Sequence, residues 1–358
     1  MSDAPPNRPA DPGPAPRRKR SARFIEIAAA AGVSPTTVNR VLNERGSVSP
    51  EMRARVVAAA KQLGVPRVLP DPRHGLTRFD VLLPVSPTPY VRRLELALQR
   101  SAQTLDPRIL IHLHRVDTAD GRAVEAALRH PGHRRDGLIA ALHDGPEVRA
   151  ALRNQVERGV PVVTLMSGVA DVPGLHYAGI DNRQAGRTAG HFIGRLSRRP
   201  GRVLLLTHTL GYRAHAERIQ GCREVIAERH PALRCSDPIE CLDDADRVHF
   251  ALREALAQAA RDGQPLAGLY HSGAGSAGLA SALQRLTPPE RPVWVGHELH
   301  DEHRRLLRLG LLDLVIDQDP DGQVQAALHH LLHATRYVEQ PGPAEPNEFR
   351  LFCAENCG

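Results

Sequence analysis

Two periodicities divide the chain. Over residues 24–63 the apolar positions follow helical spacing: Phe24, Ile27, Ala28 and Ala31 form one set, Val38, Val41 and Leu42 a second, and Val56, Val57, Ala60 and Leu63 a third. Between the first two sets Gly32 suits a left-handed residue, Ser34 suits an N-cap and Pro35 a first helical position, and Ser49 with Pro50 repeats that signal. Three short helices are predicted, the first two joined by a tight turn. After Arg78 the period changes. Short β-branched or Leu-rich runs, "FDVLLPV", "RILIHLH", "GLIAAL" and "VPVVTLM", alternate with Ala/Arg-rich segments of helical period, and the alternation restarts through "GRVLLLTH", "LAGLYHS", "VWVGHE" and "LLDLVIDQ". Such alternation predicts an α/β region of two lobes over residues 78–358, each a parallel sheet with helices on both faces. Ligands in such folds sit at the carboxyl ends of the strands.

Composition sharpens the ends of this picture. Residues 1–22 contain six prolines and end in Arg17, Arg18, Lys19 and Arg20, which predicts a disordered basic arm ahead of a helical head at residues 23–64. A Pro-rich linker follows at residues 65–77, where Pro66, Pro70 and Pro72 block a continuing helix. Charge is uneven: residues 1–78 hold 14 Lys and Arg against 6 Asp and Glu, while the remainder hold 33 against 34. The excess positive charge therefore lies in the first fifth of the chain, which points to nucleic acid at one end only. Five cysteines, at 222, 235, 241, 353 and 357, do not look like a disulfide framework and favour a reducing, cytoplasmic setting. No apolar run reaches the roughly 18 residues of a membrane helix, and the polar N-terminus has no signal-peptide pattern, so neither a membrane nor secretion is expected.

In the head, inward-facing Val33, Val38, Val41 and Leu42 leave Thr36, Thr37, Asn39 and Arg40 pointing outward. A helix-turn-helix reads DNA by bringing the N-terminal end of its second helix to base edges in the major groove, where Asn39 can pair with adenine and Arg40 with guanine or phosphate. The alternative is a structural helical hairpin with solvated threonines and asparagine, and the local charge weighs against it. The stretch "IAAAAGVSPTTVNRVLNERGSVSPEMRARVVAAAKQLG" resembles the headpiece of the LacI-type transcriptional regulators. Those regulators join this headpiece to a two-lobed sensor similar to the type I periplasmic sugar-binding proteins, so the resemblance covers nearly the whole chain after residue 22. It implies Pro35 and Thr36 at base-reading positions, Arg40 at an adjacent base or phosphate, and the backbone near Ser34 and Thr37 on phosphates. It also implies a homodimer on pseudo-palindromic double-stranded operator DNA. Two features depart from the family. Asn39 stands where it usually has serine, and its hinge helix would fall at residues 68–74, where Pro70 and Pro72 oppose one. Leu69 is left as an apolar wedge for the minor groove, offered from an extended linker.

For the sensor, the same resemblance places six residues at the ligand. Tyr90 in "PVSPTPY" stands at an aromatic contact, with a surface helix-start residue as the alternative. Arg218 in "YRAHAERIQGCREV" enters the cleft, with a solvated helix face as the alternative. Ser272, Glu298 and Gln318 end three further strands, and Asp181 in "GIDNRQAG" matches a recurrent aspartate whose other reading is a helix cap. Met166 and Ser167 occupy positions where sugar binders often present charges. The implied effector is a small sugar or polyol-like metabolite, and the implied function is that of a ligand-responsive repressor.

One rival belongs to another class. Gly273, Gly275 and Gly278 spell G-x-G-x-x-G after a predicted strand, and Glu298 follows Gly278 by 20 residues, the spacing of a dinucleotide-binding fingerprint. An NAD-dependent enzyme is therefore the alternative, although the motif lies deep in the second lobe. His112 with His114, His329, His330 and His333 on one helix, and Cys353 with Cys357 form no convincing zinc set, and no G-x-S-x-G elbow occurs. No metal, cofactor or catalysis is expected.

Overall fold

The computed structural model describes residues 24–45, 48–65, 69, 76–129 and 131–358. These form two compact units divided between Thr77 and Arg78. The first contains α1 (Phe24–Ala31), α2 (Pro35–Leu42) and α3 (Pro50–Gln62). The Ser34 hydroxyl accepts from the Thr37 N–H at 3.1 Å and the Ser49 hydroxyl from that of Met52 at 3.3 Å, so each serine satisfies a donor that its helix would leave orphaned. Gly32 closes α1 at φ +64°. Carbonyls left over at that end accept from Arg55 of α3, Nε reaching Ala31 at 3.1 Å and Nη2 reaching Gly32 at 2.8 Å. Ile27, Ala28, Ala31, Val38, Val41, Leu42, Val56, Val57 and Ala60 build the core. Phe24 and Leu63, which periodicity assigns to it, are exposed instead: one is the first residue of α1 and the other the C-cap of α3, beyond the region where the helices overlap.

The second unit runs β1 (Thr77–Pro84), α4 (Pro89–Thr104), β2 (Ile109–Val116), α5 (Gly121–Arg129), β3 (Gly137–Ala140), α6 (Pro146–Glu157), β4 (Val162–Leu165), β5 (Leu175–Ala178), α7 (Asn182–Leu196), β6 (Gly201–Thr207), α8 (Arg213–Arg229) and β7 (Leu233–Glu240). It continues through α9 (Ala245–Asp262), β8 (Leu266–His271), α10 (Ser276–Leu283), β9 (Val293–His297), α11 (Asp301–Arg308), β10 (Leu314–Asp317), α12 (Pro320–Ala334) and β11 (Arg350–Phe352). The sheets are ordered β2-β1-β3-β4-β5 and β11-β10-β9-β8-β6-β7. Read from β7, the second repeats the first and adds β11, which lies antiparallel on β10 where the other registered pairs run parallel. Strand order thus reverses once in each lobe, between β1 and β3 and between β6 and β8.

The chain crosses between the lobes three times, from β5 to α7, from β10 to α12 and from α12 to β11. Two of the crossings touch, Ile180 bridging Asn347 while the Asn347 N–H donates to the Gly179 carbonyl at 2.8 Å. Central strands β3, β4, β8 and β10 are buried throughout, hence their continuous apolar runs. Edge strands β2 and β7 are half-buried and mixed in polarity, and β7 tolerates Pro238 because it is an edge.

Helices α7 and α8 approach closely enough to exclude side chains. A Cβ on Gly186 would stand 2.0 Å from the Arg218 carbonyl oxygen, and one on Gly221 would stand 2.1 Å from that of Arg183. Gly186→Ala forces these helices apart and is expected to cost about 1–3 kcal/mol of unfolding free energy, as for other overpacked cores. Urea titration followed by circular dichroism checks this; a midpoint equal to that of the unmodified chain would refute the close contact.

Candidate ligand cleft and nucleic-acid interface

At the head, the N-terminal end of α2 is presented outward. Ser34, Pro35, Thr36 and Arg40 are exposed, while Thr37 is half-buried with its hydroxyl 2.9 Å from that of Ser34. Asn39 accepts from the side-chain amide of Asn43, one turn on, which orients it along the helix. Leu69 packs on the core of the head together with Val33, Val48 and Val65, so insertion into a groove would require that contact to be released. Glu44 accepts from the Leu76 N–H at 2.6 Å and pairs with Arg53 at 3.4 Å, tying the end of the linker to the head. The basic arm at residues 1–22 and the proline-opposed hinge segment, Leu69 apart, lie outside the described residues.

In the second unit, both strand-order reversals open on one cleft, the place where a parallel sheet offers a crevice at its strand ends. Tyr90 starts α4 after β1, buried rather than on the surface, and its hydroxyl donates to Gln323 at 2.8 Å. Gln323 in turn donates to the Gln318 carbonyl at 2.8 Å, and the Gln318 amide donates to Glu298. Arg218 of α8 is 3% exposed, which removes the solvated-face reading. Its Nε donates to the Asn182 side chain at 2.8 Å and Nη1 to the Ser272 carbonyl at 3.2 Å. Five of the six sensor residues therefore converge. Asp181 does not join them: it caps α7, accepting from the Gln184 N–H at 2.8 Å.

Arg93, Asp317 and Tyr212, which the sequence did not single out, and Ser167, which it did, also line this cleft. Arg93, one helical turn beyond Tyr90, reaches Asp317 with Nη1 at 2.5 Å and Nη2 at 3.2 Å, and Glu298 at 3.4 Å. Tyr212 crosses the cleft, its ring 4.0 Å from that of His143 and its hydroxyl 3.1 Å from that of Thr118. Ser167 accepts from the Ala214 N–H at the start of α8, at 3.1 Å. An arginine at i+3 from Tyr90 was the available signal for Arg93; nothing local marks Tyr212. Met166, Glu298 and Asp319 each follow a strand with positive φ, at 69°, 70° and 52°. Such strain in non-glycine residues gathers at binding sites, where the surrounding structure holds it.

Burial, and next the neighbouring Asp317 carboxylate, pushes the Glu298 carboxyl up to about 8. His215 and His297 lie well below their ordinary range, through burial and then the Arg218 charge, and burial lowers His271 to about 4. The cleft thus sets neutral imidazoles beside a fixed guanidinium.

The glycine motif has an internal explanation. Gly275 takes φ +96° at the start of α10, and a Cβ on Gly278 would stand 2.0 Å from the Ala245 carbonyl oxygen of α9. Ala274 donates its N–H to Asp243 at 2.7 Å, so a carboxylate already sits where a pyrophosphate would need to approach. Glu298 is engaged with Gln318 and Arg93. Among the described residues, no group of three or more His, Cys, Asp or Glu side chains is placed to hold a metal ion, and no helix is long and apolar enough to cross a membrane.

A capped three-helix head and two doubly wound lobes around a polar cleft define a DNA-reading module joined to a two-lobed binding domain. The chain belongs to the family described as periplasmic binding protein domains, matched over residues 127–336, and its head to that of the bacterial regulatory proteins of the lacI family, matched over residues 24–65. Together these make it a LacI-type, ligand-responsive DNA-binding regulator. Similar solved structures include an ABC transporter solute-binding protein from Burkholderia graminis in complex with D-arabinose, 18% identical, with 78% of this chain and 96% of that one covered at TM-score 0.69. A solute-binding protein from Bacillus halodurans with bound myo-inositol is 16% identical over 79% of this chain and 96% of its own, also at TM-score 0.69. GanP, a glucose-galactose binding protein from Geobacillus stearothermophilus, is 16% identical over 78% and 98%, again at 0.69. At these identities the likeness is one of fold. No curated protein matches the chain.

The Glu298 carboxyl makes stability depend on pH. Between about 4.5, the ordinary carboxylate value, and about 8 the folded chain holds a proton that the unfolded chain releases. Its contribution is therefore complete at low pH and is lost as pH rises, by up to about 1.4 kcal/mol per unit. Glu298→Gln abolishes that slope, so the variant should gain on the unmodified chain steadily from pH 5 to pH 8 in urea titrations. Both share every other titrating group, and a constant difference would count against a buried, proton-holding Glu298.

Proposed function

We propose that the protein is a repressor that binds pseudo-palindromic operator DNA as a homodimer and senses a small sugar or polyol-like metabolite in the interlobe cleft. The observation that carries this reading is the convergence of Tyr90, Arg218, Ser272, Glu298 and Gln318 on one cleft in a chain that also presents the outward end of α2. The sugars and the cyclitol named with the similar solved structures support the ligand class. One head buries little DNA surface, so two heads on two half-sites supply the needed affinity and specificity. Ligand control requires only that the cleft prefer one lobe arrangement when filled and that the paired heads be set differently in each.

Fluorescence anisotropy of the full chain on DNA from upstream of its own gene, against scrambled DNA at two salt concentrations, tests the assignment. Binding to the first that survives the higher salt, with dimers in sedimentation velocity, is the expected result; equal, salt-erased binding to both would refute it. Arg40→Ala should weaken the specific complex by about 1–3 kcal/mol if Arg40 reads a base, and weaken all sequences alike if it touches phosphate.

A further inference from the structure

The cleft holds two guanidinium groups in contrasting company. Arg93 is half-buried, is paired with the Asp317 carboxylate and also touches the proton-holding Glu298 carboxyl at 3.4 Å. Arg218 is almost wholly enclosed, and its contacts are neutral oxygens, the Asn182 amide and the Ser272 carbonyl. Among the described residues no carboxylate lies in ion-pair contact with it, and Nη2 makes no hydrogen bond. The end of β4 brings no charge, since Met166 is apolar and Ser167 spends its hydroxyl as an acceptor for the start of α8. Imidazoles nearby are neutral and do not offset the positive charge. An enclosed cation without a counter-charge is costly, and the fork of N–H groups on a guanidinium matches a carboxylate in two parallel hydrogen bonds.

Resting on the sensor reading above, we infer that the cleft selects a polyhydroxylated monocarboxylate, an aldonic or uronic acid rather than the neutral sugar, with its carboxylate on Arg218. The charge balance decides the class. A neutral hydroxyl leaves the guanidinium uncompensated in the enclosed cleft, a monoanion neutralises it, and a phosphate monoester brings a second negative charge with no cation to meet it. Glu298 keeps its proton near neutrality and so does not repel the incoming anion. The hydroxyls of the ligand find Gln318, the Ser272 hydroxyl and His215 as partners, Ser272 and His215 already being 3.3 Å apart.

The experiment is a charge series on the full-length protein: D-gluconate, D-glucose and D-glucose 6-phosphate; D-galacturonate, D-galactose and D-galactose 1-phosphate; and D-arabinonate, D-arabinose and D-arabinose 5-phosphate. Thermal unfolding is followed first, and titration calorimetry is run on any series that responds. The expected result is that the acid of at least one series raises Tm and binds at least 100-fold more tightly than its neutral and phosphorylated counterparts. Arg218→Gln should remove that preference and Arg218→Lys should retain part of it, each variant's fold being checked by circular dichroism. The comparison within a series is made on the unmodified chain and holds even if a variant does not fold. A neutral sugar or a phosphate ester that raises Tm where its acid does not overturns the inference and leaves the sensor reading standing. Silence from all nine compounds overturns both.

Discussion

Three crossings between the lobes constrain everything else in the second unit. Because β5, β10 and α12 each hand the chain to the other lobe, the carboxyl ends of both parallel sheets face a single space, and the reversal of strand order in each opens a crevice there. The bridge between Ile180 and Asn347 holds two crossings side by side, so the lobes share a hinge as well as a cleft. Side chains that are far apart in sequence meet for this reason: Tyr90 with Gln323, Arg93 with Asp317, Thr118 with Tyr212.

Close packing of α7 on α8 makes the cleft exact on one side. With glycine at 186 and 221 the two backbones come into direct contact, so Arg218 and Asn182 are set by helix positions rather than by flexible loops. On the other side, Glu298 and Gln318 leave β9 and β10 through strained backbone at Glu298 and Asp319, and the buried carboxyl retains a proton that a surface glutamate would lose. Packing, strain and protonation are three results of the same enclosure.

The head uses a different economy. Its core is small, and local interactions carry much of its definition: serine caps before α2 and α3, glycine after α1, and Arg55 across the turn. A unit built from such short-range contacts can present an exposed polar edge without losing its shape, as a DNA reader must.

Local chemistry therefore decided what the sequence could determine by itself. Caps and turn at Ser34, Pro35 and Gly32 are short-range signals, and they marked the helices of the head. Apolar or β-branched runs marked eight strands, seven interior and one, β2, at an edge, whereas β5, β7 and β11 escaped because they are short, at an edge or polar, β7 carrying Ser236, Asp237 and Pro238. Tyr90, Arg218, Ser272, Glu298 and Gln318 were named through the family resemblance, each at the end of a recognisable strand or early in the helix after it, and the structure brings these five side chains together. Only the tertiary structure could separate Asp181, a helix cap, from that set, add Arg93, Asp317 and Tyr212 to the cleft, return Leu69 to the head, and explain Gly275 by its positive φ and Gly278 by its packing on α9. The physical reason is the same throughout. Capping acts within a few residues of the chain, while charge balance, close backbone contact and the company of a buried side chain depend on residues brought together from tens to more than two hundred positions away.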